Sequence, residues 1–241
     1  MPFRTDDGRD LEELLLAQRP ADGYRFEVRE GFVYEDPVSG HRYDVRAGRT
    51  SDLASVPSWL WNFIASYGRQ SAPALLHDDR SDVADELGDR RAALALRRED
   101  DRVFRTALRE QGVPLLRAWL MWAWVSADRE RAFGGVVGLL FLAQAVLGAV
   151  VVAGASVAAF LNPAWLALVL VPALAAVPWW RLAPLMLLLN VATGVLAPLI
   201  VVHLVALVPF RLVEAIVELT TGGDPGGVLR PTVQAPSARR D

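Results

Sequence analysis

The chain has 241 residues, 53% hydrophobic and 22% charged, with a formal net charge of −3 and no cysteine. The averages hide a division: residues 1–131 carry 44 of the charged side chains, whereas residues 132–210 contain one, Arg181. A 79-residue stretch with one charge cannot be hydrated as the surface of a soluble core, which excludes a single water-soluble domain, and the lack of cysteine excludes disulfides, thiolate metal sites and cysteine nucleophiles.

Residues 1–131 read as an α+β head. All 25 basic residues are arginines, which points to genome composition rather than to chemistry. Positive and negative charges interleave, so no basic face for nucleic acid is present. The acidic N-terminus has no apolar core of a signal peptide. Asp10, with Glu12 and Glu13 in the following turn, predicts a helix over residues 10–18. Alternation at Tyr24–Val28, Phe32–Tyr34 and His41–Val45, separated by Glu30-Gly31 and Asp36–Gly40, predicts a three-strand antiparallel meander. Its apolar face needs cover, which helices over Trp59–Tyr67, Pro73–Asp79, Asp89–Gln111 and Pro114–Ala127 supply. On the third of these, Leu94, Arg97 or Arg98, Asp101, Phe104 and Leu108 share a face; the last carries Trp119, Trp122 and Trp124, read chiefly as core.

Residues 132–210 predict a transmembrane region of about three helices, Gly134–Phe160, Ala164–Trp180 and Leu182–Phe210. About 20 apolar residues cross a hydrocarbon layer of roughly 30 Å. The first and third stretches exceed that, and the second is shorter and carries Pro172 and Pro178. Asn162-Pro163 turns the chain between the first two, and Trp179, Trp180 and Arg181 form an interfacial anchor. A break in the third stretch near Asn190–Gly194 is the re-entrant alternative. Arg117, Arg129 and Arg131 before the first span, with Arg181 between the second and third, place the head in the cytoplasm and the C-terminal tail outside. Gln144, Asn190, Thr193 and His203 are too scattered for a transport path, and Gly134 and Gly138 have the spacing that lets two helices approach closely. Residues 211–220 predict an interfacial amphipathic helix and residues 221–241 a disordered tail. The lipid bilayer is thus the expected partner, together with a protein partner or a second copy meeting the transmembrane helices.

Three segments of the head carry a resemblance. They are Thr50-Ser51-Asp52-Leu53-Ala54-Ser55-Val56-Pro57, then Ala74-Leu75-Leu76-His77-Asp78, then Arg98–Phe104 ahead of Gly112-Val113-Pro114. In this order they resemble the family known as domain of unknown function 1353, found in phages, prophages and bacterial genomes, over roughly residues 24–127. Ser51 stands where the family has Thr, and Asp79-Arg80-Ser81-Asp82 replaces its aromatic-rich continuation. The resemblance implies a compact α+β head and brings no established activity; with the apolar half and the arginine placement, the expected location is a bacterial inner membrane.

Asp52, His77, Asp78 and Asp101 are the candidate site residues. Three carboxylates and an imidazole have the donors for one divalent metal. The same groups serve general-base catalysis if a carboxylate sets the imidazole tautomer, and Ser55 is a nucleophile only if His77 reaches it. The structural alternative assigns Asp52 and Ser55 to capping a helix begun by Pro57, and pairs Asp101 with Arg97 or Arg98 along its own helix. His41 reads as a solvated loop residue. A membrane-tethered interaction module and a membrane-anchored hydrolase both fit this composition; a channel does not.

Overall fold

The computed structural model describes residues 2–19, 25–53, 68–224 and 226. The chain divides into two compact units, residues 1–79 with 201–241 and residues 80–200. The helix expected over Trp59–Tyr67, with Ser55 and Pro57, lies outside the described residues, as does nearly all of the tail expected after residue 221.

The first unit opens with six strands: β1 (Phe3–Thr5), β2 (Leu16–Gln18), β3 (Phe26–Val28), β4 (Phe32–Glu35), β5 (Arg42–Val45) and β6 (Thr50–Ser51). They form two antiparallel sheets, ordered β1-β4-β5 and β2-β3-β6. The expected β4–β5 hairpin is present, closed by buried Asp36, whose carboxylate accepts from Ser39 N at 2.9 Å, with Gly40 at φ +68°. The expected three-strand meander is not. The edge of β4 that β3 would take is occupied by β1, paired Phe3 to Tyr34. Phe3, Phe32 and Tyr34 are fully buried, with Phe3 4.9 Å from Tyr34 and 5.7 Å from Phe32 between ring centroids. This aromatic cluster holds β1 in place, and β3 pairs with β2 and β6 instead.

The helix expected over residues 10–18 is also absent. Asp10 bridges Arg4, and Leu16–Gln18 form β2. The acidic start is a helix signal, but a helix that short is marginal in water, whereas Leu14 and Leu16 alternate as a strand requires and β3 offers the ladder.

The helices of the head follow the sequence closely. α1 spans Ser71–Asp85, α2 Arg90–Glu110 and α3 Leu115–Phe133. Asp89 caps α2 by accepting from Arg91 N at 2.8 Å, so the expected boundary at 89 is reproduced. Its buried face contains Ala93, Arg97, Asp101, Phe104 and Leu108, and Arg98 lies outside it. α3 runs six residues past the expected end at Ala127 and stops at Gly134-Gly135, where Gly135 has φ +62°. There α4 (Gly135–Ala158) begins and packs back on α3. A Cβ on Gly138 would lie 3.0 Å from the Glu130 carbonyl carbon. Gly134 and Gly138 therefore serve a close approach within the chain, between α3 and α4.

The expected second span is not one α-helix. Asn162 caps a 3-10 turn over Pro163–Val169, α5 covers Leu170–Ala176, and a second 3-10 turn covers Val177–Leu182. Pro163, Pro172 and Pro178 remove backbone donors along the segment, and Trp180 adopts φ 50°, ψ −104° before α6 (Ala183–Thr221) begins. α6 is continuous through Asn190–Gly194, so no re-entrant break occurs there, and the amphipathic segment expected as a separate helix at 211–220 is its C-terminal end. Two helical runs, Gly135–Ala158 and Pro163–Thr221, are long and apolar enough to cross a membrane.

Contacts within residues 80–200 define how these segments run. Gln144 on α4 donates to Ala175 O at 2.7 Å and accepts from Trp179 Nε1 at 3.0 Å, so the segment 163–182 returns antiparallel to α4. Gly148 meets Asn190, and Val152 meets Gly194. Both registers advance together, so α4 and the first half of α6 are parallel. Ala123, Phe141, Ala145, Ala176, Leu185 and Met186 form the apolar cluster where α3, α4, α5 and α6 meet.

Gly148 and Gly154 test this packing. A Cβ at Gly148 would stand 2.6 Å from Asn190 Cγ, whereas nothing lies within 4 Å of one at Gly154. Gly148→Leu is expected to destabilise the full chain by about 1–3 kcal/mol through overpacking, and Gly154→Leu to leave it near wild type. Thermal unfolding in detergent measures the difference.

Candidate functional site

Asp52, His77 and Asp78 belong to the first unit and Asp101 to the second. In the first unit, β6 ends at Ser51 and α1 brings His77, Asp78 and Asp79 past it. Ser51 Oγ donates to Asp78 Oδ2 and accepts from Leu53 N at 2.7 Å. Arg49 Nε donates to Asp79 Oδ1 one residue further along α1. Leu53, between Asp52 and the segment beyond, holds φ +63° with its side chain buried, a conformation that costs a non-glycine residue free energy. His77 is buried, and both Asp52 and His77 are engaged in further contacts. The T-S-D-L and L-L-H-D segments are thus stitched together by hydrogen bonds between the end of a strand and the middle of a helix.

Asp101 lies in the second unit and is fully buried. Its carboxylate accepts from Ser126 Oγ at 3.0 Å and from Arg129 Nη1, both on α3. Arg129, itself buried, donates through Nε and Nη2 to Glu130 Oε1 at 3.1 and 3.0 Å, and Arg98 approaches the same oxygen at 3.7 Å. On the residue before Asp101, Arg80 Nε donates to buried Asp100 at 3.1 Å.

The pairing of Asp101 with Arg97 or Arg98 along α2 does not occur. Its partner is Arg129, 28 residues on, and Arg97 is buried with Nε and Nη1 lacking a hydrogen-bond partner among the described residues. Asp101 points toward α3, where a guanidinium from another helix fits a carboxylate with two donors already in place. Ser126, Arg129 and Glu130 are the polar residues that sequence reading missed. Their local signal, alternating charge at the end of a helix, resembles a solvated membrane-proximal turn, and Arg129 counted there only as a positive-inside charge.

Among the described residues, no three His, Asp or Glu side chains are placed to hold a metal ion. A groove of about 580 Å³ in the first unit is lined mainly by Leu14, Leu16, Phe26 and Leu53, with Gln18 and Ser71, and none of the four candidates lines it. Arg105, elsewhere on α2, stacks over Trp119 at 4.0 Å and Trp122 at 5.2 Å. Burial, with the like charge of Arg102, lowers its pKa from the ordinary guanidinium value. Trp119 and Trp122 are half-buried, as core indoles are, and Trp124 is exposed.

The buried pair yields a direct test. Removing one member leaves the other charged and desolvated, at a cost of about 3–5 kcal/mol, whereas replacing both with apolar residues is often neutral. Asp101→Ala and Arg129→Ala are each expected to lower the thermal midpoint by many degrees, and Asp101→Leu with Arg129→Met and Glu130→Met, which removes the whole buried triad, to recover most of the loss. In the first unit, His77→Ala is expected to cost about 1–3 kcal/mol by leaving a buried polar partner unmet. A thermal melt unchanged by His77→Ala would contradict the structural role.

No curated protein and no solved structure matches the chain. One family model does, described as "Protein of unknown function (DUF1353)", over residues 26–125, from β3 into α3. The matched span contains Asp52, His77, Asp78, Asp101 and the α2–α3 helix pair, and ends before α4. Residues 26–125 are thus similar to the DUF1353 family, and the apolar helices that follow lie outside the matched span.

Proposed function

We propose that this protein is a membrane-anchored interaction module. Its DUF1353-like head is held at the cytoplasmic face of a bacterial inner membrane and presents a docking surface to a protein partner, in a chain of phage- or prophage-like descent. The observation that carries the reading is the apolar exposure of α4 and α6. Val136, Val137, Leu147 and Val150 on α4 are between 61% and 74% exposed, as are Val202, Val205 and Val208 on α6 between 64% and 68%. A surface of that size and character calls for lipid.

The path of the chain supports a multi-pass topology. α4 and the first half of α6 are parallel, and the segment 163–182 runs back between their ends, so the chain traverses the membrane three times with the middle traverse broken by prolines. At ~1.5 Å per residue, the 39 residues of α6 extend about 58 Å, nearly twice the hydrocarbon thickness. In this reading its end, with the Arg211–Glu214 pair, emerges on the periplasmic side of the membrane.

The hydrolase alternative has one observation behind it, the left-handed Leu53 beside Asp52, since strained backbone gathers at functional sites. The buried partners of Asp78 and Asp101 favour the structural reading over it.

Membranes containing the full chain are expected to keep it in the pellet after carbonate and high-salt washing. Release by either would end the anchor reading. A reporter active only in the periplasm is expected to be silent when fused before Met1 and active after Asp241; equal behaviour at both ends would contradict three traverses.

A further inference from the structure

We infer that α3 docks in the headgroup layer of the bilayer, with the hydrocarbon beginning at Phe141 rather than at Gly134. This rests on the membrane-anchor reading and specifies where the head meets the lipid.

Two separate segments bring indoles to one level of α4. Trp122 of α3 and Trp179 of the return segment both pack on the cluster that contains Phe141 and Ala145. Trp179 meets the Phe141 ring edge-on at 5.1 Å and bonds Gln144 one turn further along. Trp180 follows, 81% exposed, and then Arg181, the single charge of the apolar half. On α3, Trp124 is 50% exposed, and the ion pair Asp128–Arg131, at 2.8 Å, occupies the same side one and two turns on. An indole has an apolar body with one donor, and a guanidinium on a long stem reaches toward water from an apolar surface. Such groups collect where hydrocarbon gives way to headgroups.

The dimensions agree. From Phe141 to Phe160 the chain measures about 30 Å at ~1.5 Å per residue, one hydrocarbon thickness. At the far end stand the Asn162-Pro163 turn and Trp165, 49% exposed, where a second interface belongs. Placing the boundary at Gly134 instead would draw Asp128, Arg131 and the buried Arg129–Glu130 pair toward the hydrocarbon, since α3 folds back on α4 there. With the boundary at Phe141, Gly134–Leu140 and the second half of α3 share the headgroup layer, which accepts both exposed valines and ion pairs.

The chain has no native cysteine, so single introduced cysteines report their own surroundings. The full chain carrying Val38→Cys, Trp124→Cys, Leu120→Cys or Leu147→Cys, in open membrane sheets that admit reagent to both faces, is treated with a water-soluble maleimide. Val38, 70% exposed in the β4–β5 turn, is the aqueous reference. Leu120→Cys keeps the Trp124 indole in place and so guards against a variant that undocks by its own substitution. The expected result is labelling at Val38 and loss of labelling at positions 120, 124 and 147, with all four reacting after denaturation in dodecyl sulfate. Labelling of 120 and 124 at the Val38 rate, with 147 protected, overturns the docking of α3 and leaves the anchor standing. Labelling at 147 overturns the anchor itself.

Discussion

One charge in 79 residues is the constraint on which the second half of this molecule depends. Backbone polar groups within such a stretch must be satisfied internally when water is excluded, and helices do so. The segment between α4 and α6 meets the same demand with less regular means. Its prolines forfeit α-helical bonds, and Gln144 contributes the compensation by donating to the Ala175 carbonyl while accepting from Trp179. A polar side chain in an apolar helix here has a backbone to satisfy rather than a substrate to move. Asn190 differs: it is buried against Gly148 with neither amide atom bonded to a described residue, and its size is what the glycine accommodates.

The foot of this apolar bundle is tied to the head by ions. Asp101, Ser126, Arg129 and Glu130 join α2 to the end of α3, immediately before the chain turns into α4. Buried ion pairs are poor sources of stability relative to a well-packed apolar core, but they are intolerant of wrong partners. α2 and α3 in a slipped register would bury Asp101 without Arg129. The network therefore fixes which helix faces meet at the place where Gly134, Gly135 and Gly138 let α4 approach. Arg90, which donates to the Phe133 carbonyl at 2.9 Å and approaches Gly135, secures the same corner from α2.

How much of this was legible in the sequence varies with the range of the interaction. The α2 boundary at Asp89, its buried face and the two long apolar runs are local patterns, and each is read from spacing alone. The family motif was likewise legible, because its segments lie in order along the chain. What failed depended on distant partners. The N-terminal strand Phe3–Thr5 displaces β3 from β4 through an aromatic cluster that no window of neighbouring residues contains. A leucine run after Asp10 has helix and strand readings of similar strength until β3 supplies an edge. Asp101 has two arginines within a helical turn and uses a third, 28 residues away. Asp52, His77, Asp78 and Asp101 group by chemistry in the sequence, and the bonds of Asp78 to Ser51 and of Asp101 to Arg129 are contacts that such a grouping does not contain.

The account stands on contact between protein and hydrocarbon, and the native indoles report it. Trp124, Trp165 and Trp180 are 50%, 49% and 81% exposed, at levels assigned to the two interfaces. The full chain in vesicles whose acyl chains carry bromine near the headgroup should lose most of its tryptophan fluorescence, while aqueous iodide removes little. Strong quenching by iodide with none from the brominated chains would show these surfaces to be in water and contradict the account.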